Sequence, residues 1–265
     1  PISPAENVLT GITAHQPVRC CVVKKRFTVP DRARYRTSNP KNTHAMLRNL
    51  ALLLALTLTL SACDDGDINL FSIQDDIALG AQLRDEVLAN PQEYPILPRS
   101  QYPQAYNYLE DIRDDILASG QVRYADEFPW EVYLIDDPGT LNAFAAPGGY
   151  IFVYTGLIKF LDEKDDFVGV MGHEMAHADR RHSTDQLTKA YGISILLEVL
   201  LGNQANTQIA DILASLVSLQ FSRADETEAD TYSVIYLCGT EYAANGAASF
   251  FQKLTDQMGA TPVPE

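Results

Sequence analysis

Apolar residues recur at three- and four-residue spacing from Ile73 to Leu88 and again from Tyr106 to Leu117. This spacing predicts two amphipathic helices, separated by a proline-containing link from Pro91 to Pro103. The period then shortens. WEVYLID, from Trp130, has the β-branched and aromatic content of a strand, and Asp137-Pro138-Gly139 reads as a turn. NAFAAPGGYIFVYTG, from Asn142, reads as strand, glycine turn and strand. From Thr155 the helical period returns and holds almost to the end. The run ISILLEVLL from Ile193 is too short to span a bilayer and contains Glu198, so it predicts a helix facing the core. No internal repeat is visible. The pattern predicts an α+β domain, mainly helical, with a small β-sheet.

Composition narrows the functional classes. A chain of 265 residues with 46% apolar content can support one core-bearing domain with appendages. Its net charge of −15 argues against a nucleic-acid partner, because phosphates would be repelled. The charge is unevenly placed: residues 1–62 hold nine of the 20 Lys and Arg but two of the 35 Asp and Glu. Within that basic stretch, Met46 and Arg48 precede an apolar run from Leu50 to Leu60, and LSAC ends at Cys63. This order describes a secretory leader, and LSAC resembles a bacterial lipobox, which implies cleavage before Cys63 and lipid attachment there. The expected organisation is therefore an upstream or disordered extension over 1–45, a lipoprotein-type signal peptide over 46–62, and a domain over 63–265. The expected location is the periplasm of a bacterial cell envelope, with a lipid anchor in a membrane. Cys20 and Cys21 would leave with the leader and Cys63 would be acylated, so no disulfide framework is expected.

The chemistry concentrates in VMGHEMAHADRRH, Val170 to His182. Asp162-Glu163-Lys164-Asp165-Asp166 suits a helix N-terminus, and Phe167 to Arg181 contains no proline. On such a helix His173 and His177 lie one turn apart on the same strip, so two imidazoles can reach one ion. Glu174 sits about 100° round the helix, placed to hold a water rather than to act as an equivalent ligand. This is the H-E-x-x-H arrangement, in which zinc acidifies water and the glutamate takes its proton. Beyond Cys63 the chain has only three histidines, His173, His177 and His182, all within ten residues, a concentration that a ligand requirement explains better than chance. If the helix continues, His182 falls on its opposite face and is expected to be a C-terminal residue favoured by the macrodipole. A third ligand then has to come from elsewhere. SRADETEAD, Ser222 to Asp230, places Glu226 and Asp230 on one helix face, with Glu228 pointing roughly the other way. Alone, this run would be a solvated acidic face. Beside the histidine pair it offers Glu226 as a carboxylate ligand and Asp230 as a partner for the far nitrogen of a ligand histidine.

Together HEMAHADRRHS, SRADETEAD and NAFAAPGGYIFVYTG resemble the gluzincin metallopeptidase family of the CAAX prenyl protease, HtpX and BepA, over roughly Asp67 to Gly259. The resemblance implies a zincin-like domain with its small sheet beside the active-site helix. One Zn²⁺ per chain would be bound by His173, His177 and Glu226, with Glu174 as general base and Asp230 behind a ligand. It also implies that the strand region, with Asn142, Ala143, Phe144, Gly148, Gly149 and Tyr150, pairs with an extended substrate by β-augmentation. The implied activity is hydrolysis of peptide bonds in unfolded or misassembled envelope proteins. The alternative is a non-catalytic zinc-containing envelope lipoprotein with a chaperone or assembly role. Family members commonly carry a His-Pro loop after these motifs; the chain ends at Pro264-Glu265 without one, so the domain is expected to be truncated at its C-terminus.

Overall fold

The computed structural model describes residues 71–202 and 206–246, together with 248, 250, 252 and 253. The expected extension, the signal peptide and Cys63 lie outside the described residues. The first helix, α1 (Ile73–Ala89), starts in a capping box: the Ser72 hydroxyl accepts from the Asp75 backbone, and the Asp75 carboxylate accepts from the Ser72 N–H. Its inner face is Leu79, Leu83 and Val87, four apart as predicted. Helix α2 (Pro103–Ala118) begins at a proline, which suits the first helical position, and buries Tyr106, Leu109, Ile112 and Ile116.

A three-stranded sheet follows, built from β1 (Glu131–Ile135), β2 (Ala143–Ala146) and β3 (Tyr150–Tyr154), in the order β1-β3-β2. β1 runs parallel to β3, and β2 runs antiparallel to it. The sheet is covered on both sides. Ile151 and Val153 join a core with α2 and the helices after the sheet. Phe144, Phe152 and Tyr154 face a second core that includes Leu79, Leu83 and Val87 of α1. All five residues of the central strand are consequently buried.

Six further helices follow: α3 (Thr155–Phe160), α4 (Lys164–Asp179), α5 (His182–Tyr191), α6 (Ile193–Leu200), α7 (Asn206–Val217) and α8 (Arg223–Leu237). Helix α4 is buried on nearly every side from Phe167 to Asp179, including the polar His173, His177 and Asp179. It packs closely on α8. A β-carbon on Gly172 would lie 2.9 Å from the Ser233 hydroxyl, and that hydroxyl donates to the Gly169 carbonyl at 3.1 Å. Helix α8 opens with its own capping box, Ser222 with Asp225. In α6, Leu196 and Val199 are buried as expected, while Leu197 and Leu201 are exposed. Among the described residues no helix is long and apolar enough to cross a membrane.

Two expectations are corrected. The helix predicted to run through Arg181 ends at Asp179, and Arg181 takes a left-handed conformation (φ 66°) that begins α5. No glycine or proline marks this break. It is held by distant groups: the Arg181 guanidinium donates to both carboxylate oxygens of the buried Asp76 and to the Phe71 carbonyl, all at the start of α1. At the other correction, Cys238 is disulfide-bonded, against the expectation of no disulfide framework.

Candidate metal centre

The end of α4 and the first turns of α8 are brought together by the Gly172–Ser233 approach. They are also joined by Asp179, whose carboxylate accepts from the Tyr236 hydroxyl of α8 at 2.6 Å and from the Tyr124 N–H at 2.8 Å. The predicted ligands therefore meet. The Nε2 atoms of His173 and His177 face each other at 3.0 Å. Glu226 places Oε2 at 3.3 Å from His173 Nε2 and Oε1 at 3.9 Å from His177 Nε2. Four tetrahedral bonds of about 2.0–2.1 Å subtend ligand–ligand edges of about 3.3–3.4 Å, so the donor set is sized to hold one small divalent cation between its members.

The tautomers agree with this reading. His173 Nδ1 lies 2.9 Å from Asp230 Oδ1, so the proton rests on the outer nitrogen and the Nε2 lone pair faces inward. Burial alone would lower the His173 pKa. Hydrogen bonds with Asp230 and Glu226, and the charge of Glu174, overcome that effect and raise it to about 10, so the metal-free ring holds a proton on Nε2 as well, and that proton would have to leave for Nε2 to take a cation. Burial, followed by the neighbouring His173 and His177–His182 contacts, acts the other way on His177 and lowers it to about 2, which keeps that ring neutral.

These groups line a cavity of about 290 Å³ with the edge strand on one side. Glu174 opens into it. Burial raises this carboxyl to about 7, with the His173 charge and the Ala145 N–H opposing the rise and Glu226 adding to it. Ala145 is fully engaged on its outer side: its N–H serves Glu174, and its carbonyl accepts from the buried Ser183 hydroxyl at 2.8 Å. The Tyr154 N–H donates to the Asn142 carbonyl, so Asn142 turns its backbone toward β3. By the antiparallel alternation, Ala143 presents its N–H and C=O outward, like Ala145. The rest of the wall is largely apolar, including Leu157, Val170, Leu216, Phe221 and Phe250.

Of the expected substrate-strand residues, Asn142, Ala143 and Phe144 line this cavity. Gly148, Gly149 and Tyr150 do not. Gly148 and Gly149 form a turn with φ of 75° and 83°, pressed against Ile77 and against Trp130. Tyr150 lies on the central strand, flanked by β1 and β2, and has no free edge to offer. The pleat and strand order, not composition, decide which part of that stretch faces the site.

Sequence reasoning misplaced His182 and gave Glu228 and Phe221 no part in the site. The left-handed bend turns His182 back, so that its Nδ1 lies 3.0 Å from His177 Nδ1 instead of on an opposite face. Its Nε2 is 3.2 Å from Glu228 Oε2, and Arg180 Nε donates to Glu228 Oε1 at 2.6 Å. Phe221, at the approach to α8, stacks on the His177 ring with centroids 3.9 Å apart. The one sequence signal for His182 was its presence among so few histidines.

An H-E-x-x-H helix, a glutamate from a second helix at its paired imidazoles, and an edge strand along the cavity define a metallopeptidase domain of the gluzincin kind. The chain belongs to peptidase family M48, whose model matches residues 103–262. It is similar to the mitochondrial metalloendopeptidase OMA1 of Arabidopsis thaliana, with 31% identity over 54% of this chain and 29% of the relative. It is likewise similar to the metalloprotease LoiP of Escherichia coli, with 31% identity over 47% of this chain and 50% of the relative. A putative beta-barrel assembly-enhancing protease of Vibrio cholerae shows 25% identity over 58% of this chain and 34% of the relative. The chain thus spans about a third to a half of the length of these relatives.

Proposed function

We propose that the protein is a zinc-dependent endopeptidase that hydrolyses peptide bonds in unfolded or misassembled proteins of the cell envelope. The observation that carries this reading is the convergence of His173, His177 and Glu226 at near-tetrahedral spacing, with the Glu174 carboxylate in the same cavity. Zinc held there would supply Lewis acidity, acidifying water and polarising a carbonyl. The remaining work falls to the chain. Asp230 holds the proton of His173 on Nδ1 and keeps Nε2 available as a donor. Ala143 aligns an extended substrate through its outward N–H and C=O. Glu174, raised to about 7, accepts the proton of the attacking water on its carboxylate and delivers it to the leaving amine. The products are a carboxylate and an amine, with no covalent intermediate.

The substrate class follows from the short edge, which accepts a strand and not a folded surface. The envelope location is supported by the leader-like run before Cys63, proposed as the lipid attachment site, and by the relatives from Escherichia coli and Vibrio cholerae. Other relatives are mitochondrial. The test is degradation of casein by wild type and Glu174→Gln, with zinc content measured in both. The variant is expected to keep its metal and lose turnover; equal proteolysis by both proteins would remove Glu174 from this role.

A further inference from the structure

We infer that His182 is a positioning residue for the metal centre: with Glu228 and Arg180 it fixes which nitrogen of His177 faces the ion. The inference rests on the zinc-site reading above. Phe221 stacks on the His177 ring and sets its plane, but stacking does not distinguish the two flipped orientations of an imidazole. The contact at His177 Nδ1 does distinguish them. With both imidazoles neutral, one proton arrangement satisfies every partner in the chain of contacts. His177 Nδ1–H donates to His182 Nδ1, His182 Nε2–H donates to Glu228, and the charge of Glu228 is compensated by Arg180. The His177 Nε2 lone pair is then left facing His173 and Glu226.

The two ligand histidines are thereby supported differently. His173 is backed directly by a carboxylate, Asp230. His177 is backed by a neutral ring whose own carboxylate partner is paired with a guanidinium. The second arrangement orients the ring without adding net negative charge behind it. It also depends on the bend at Arg181, because on a continuous helix His182 would point away from His177. Burial supports a specific role: His182 is 3% exposed, and both of its nitrogens have partners within the protein.

The test measures the zinc dissociation constant by competition with a chromophoric chelator, and the visible spectrum of the cobalt-substituted protein, for wild type, His182→Phe and Glu228→Ala. His182→Phe fills the volume and removes both nitrogens; Glu228→Ala releases the far end of the same chain from a partly exposed position. Loss of such an outer partner weakens metal binding by about 10–100-fold, which is the result expected for His182→Phe, with a shifted cobalt spectrum. A smaller but measurable loss is expected for Glu228→Ala, whose carboxylate acts on His177 through the His182 ring. A folded His182→Phe protein with wild-type affinity and spectrum would overturn the inference. If His182→Phe does not fold, unchanged affinity in Glu228→Ala overturns it. Failure of wild type to bind one zinc would instead sink the zinc-site reading itself.

Discussion

Replacing Arg181 by methionine removes the partner of the buried Asp76 while keeping an unbranched stem in the same left-handed backbone position. Asp76 is 1% exposed, whereas the Arg181 side chain is 14% exposed. In the variant the carboxylate keeps only its bond from the Thr184 hydroxyl. Breaking a buried pair in this direction costs about 3–5 kcal/mol, because a charge is left uncompensated. For a domain of this size that is roughly 6–20 °C in Tm. The converse change, Asp76→Asn, is milder: Arg181 still has the Phe71 and Ser72 carbonyls and some access to water. Burial already raises the Asp76 pKa with arginine and Thr184 hydrogen bonds opposing it, and losing the arginine raises it further. A carboxyl whose folded pKa exceeds its unfolded value costs stability above the unfolded value, near 4, and that cost shrinks as pH falls through the folded pKa. The deficit of Arg181→Met therefore narrows as pH falls from 7 toward 5. Urea unfolding of both single variants and the double variant at those two pH values, with metal removed, measures it. Equal deficits for the two single variants, or a deficit that widens on acidification, would refute the reasoning.

Chelation should lower Tm, since a ligand present at 1,000 times its dissociation constant adds about 4 kcal/mol; an unchanged melting curve after verified metal loss would contradict the centre described above. Asp230→Asn should weaken zinc binding by about 10–100-fold while leaving the metal-free fold intact, as read by chelator competition and far-UV dichroism. Gly80→Ala places a β-carbon 1.9 Å from the Pro147 carbonyl and should cost at least the 1–3 kcal/mol typical of about one excess methylene in a packed core, seen as a reduced urea midpoint. Ser183→Ala strands the outward, buried carbonyl of Ala145 and should cost about 1–3 kcal/mol, with a higher KM for peptide substrates if the edge strand loosens.

The helices carrying the site were legible because their signals are local. Two histidines four apart, two acids four apart and serine caps each describe one or two turns of chain. Their meeting was legible too, since zinc needs a third donor and the spacing of Glu226 and Asp230, together with the family resemblance, singled out one carboxylate among many. What escaped was set at long range. The bend at Arg181 has no sequence punctuation; it is selected by Asp76, 105 positions away, and it moved His182 from an outer face into contact with His177. Similarly, NAFAAPGGYIFV announces a hairpin, but nothing within it says that β1 will cover the far side of β3 and leave Tyr150 without an edge. Glu228 does turn away from Glu226, as its helical position predicts, but nothing local says what it meets there: its partners, Arg180 and His182, lie at and beyond the end of α4.

The contact between Gly172 and Ser233 also has a bearing on when such a protein can do harm. The paired imidazoles and the carboxylate opposite them are separated by some fifty positions, and they meet only when one helix has settled against the other. A polypeptide emerging from the ribosome carries the H-E-x-x-H segment long before its full set of donors has been assembled. For the proposed peptidase, digestion of neighbours, or of itself, would thus be deferred until the molecule has reached its finished shape.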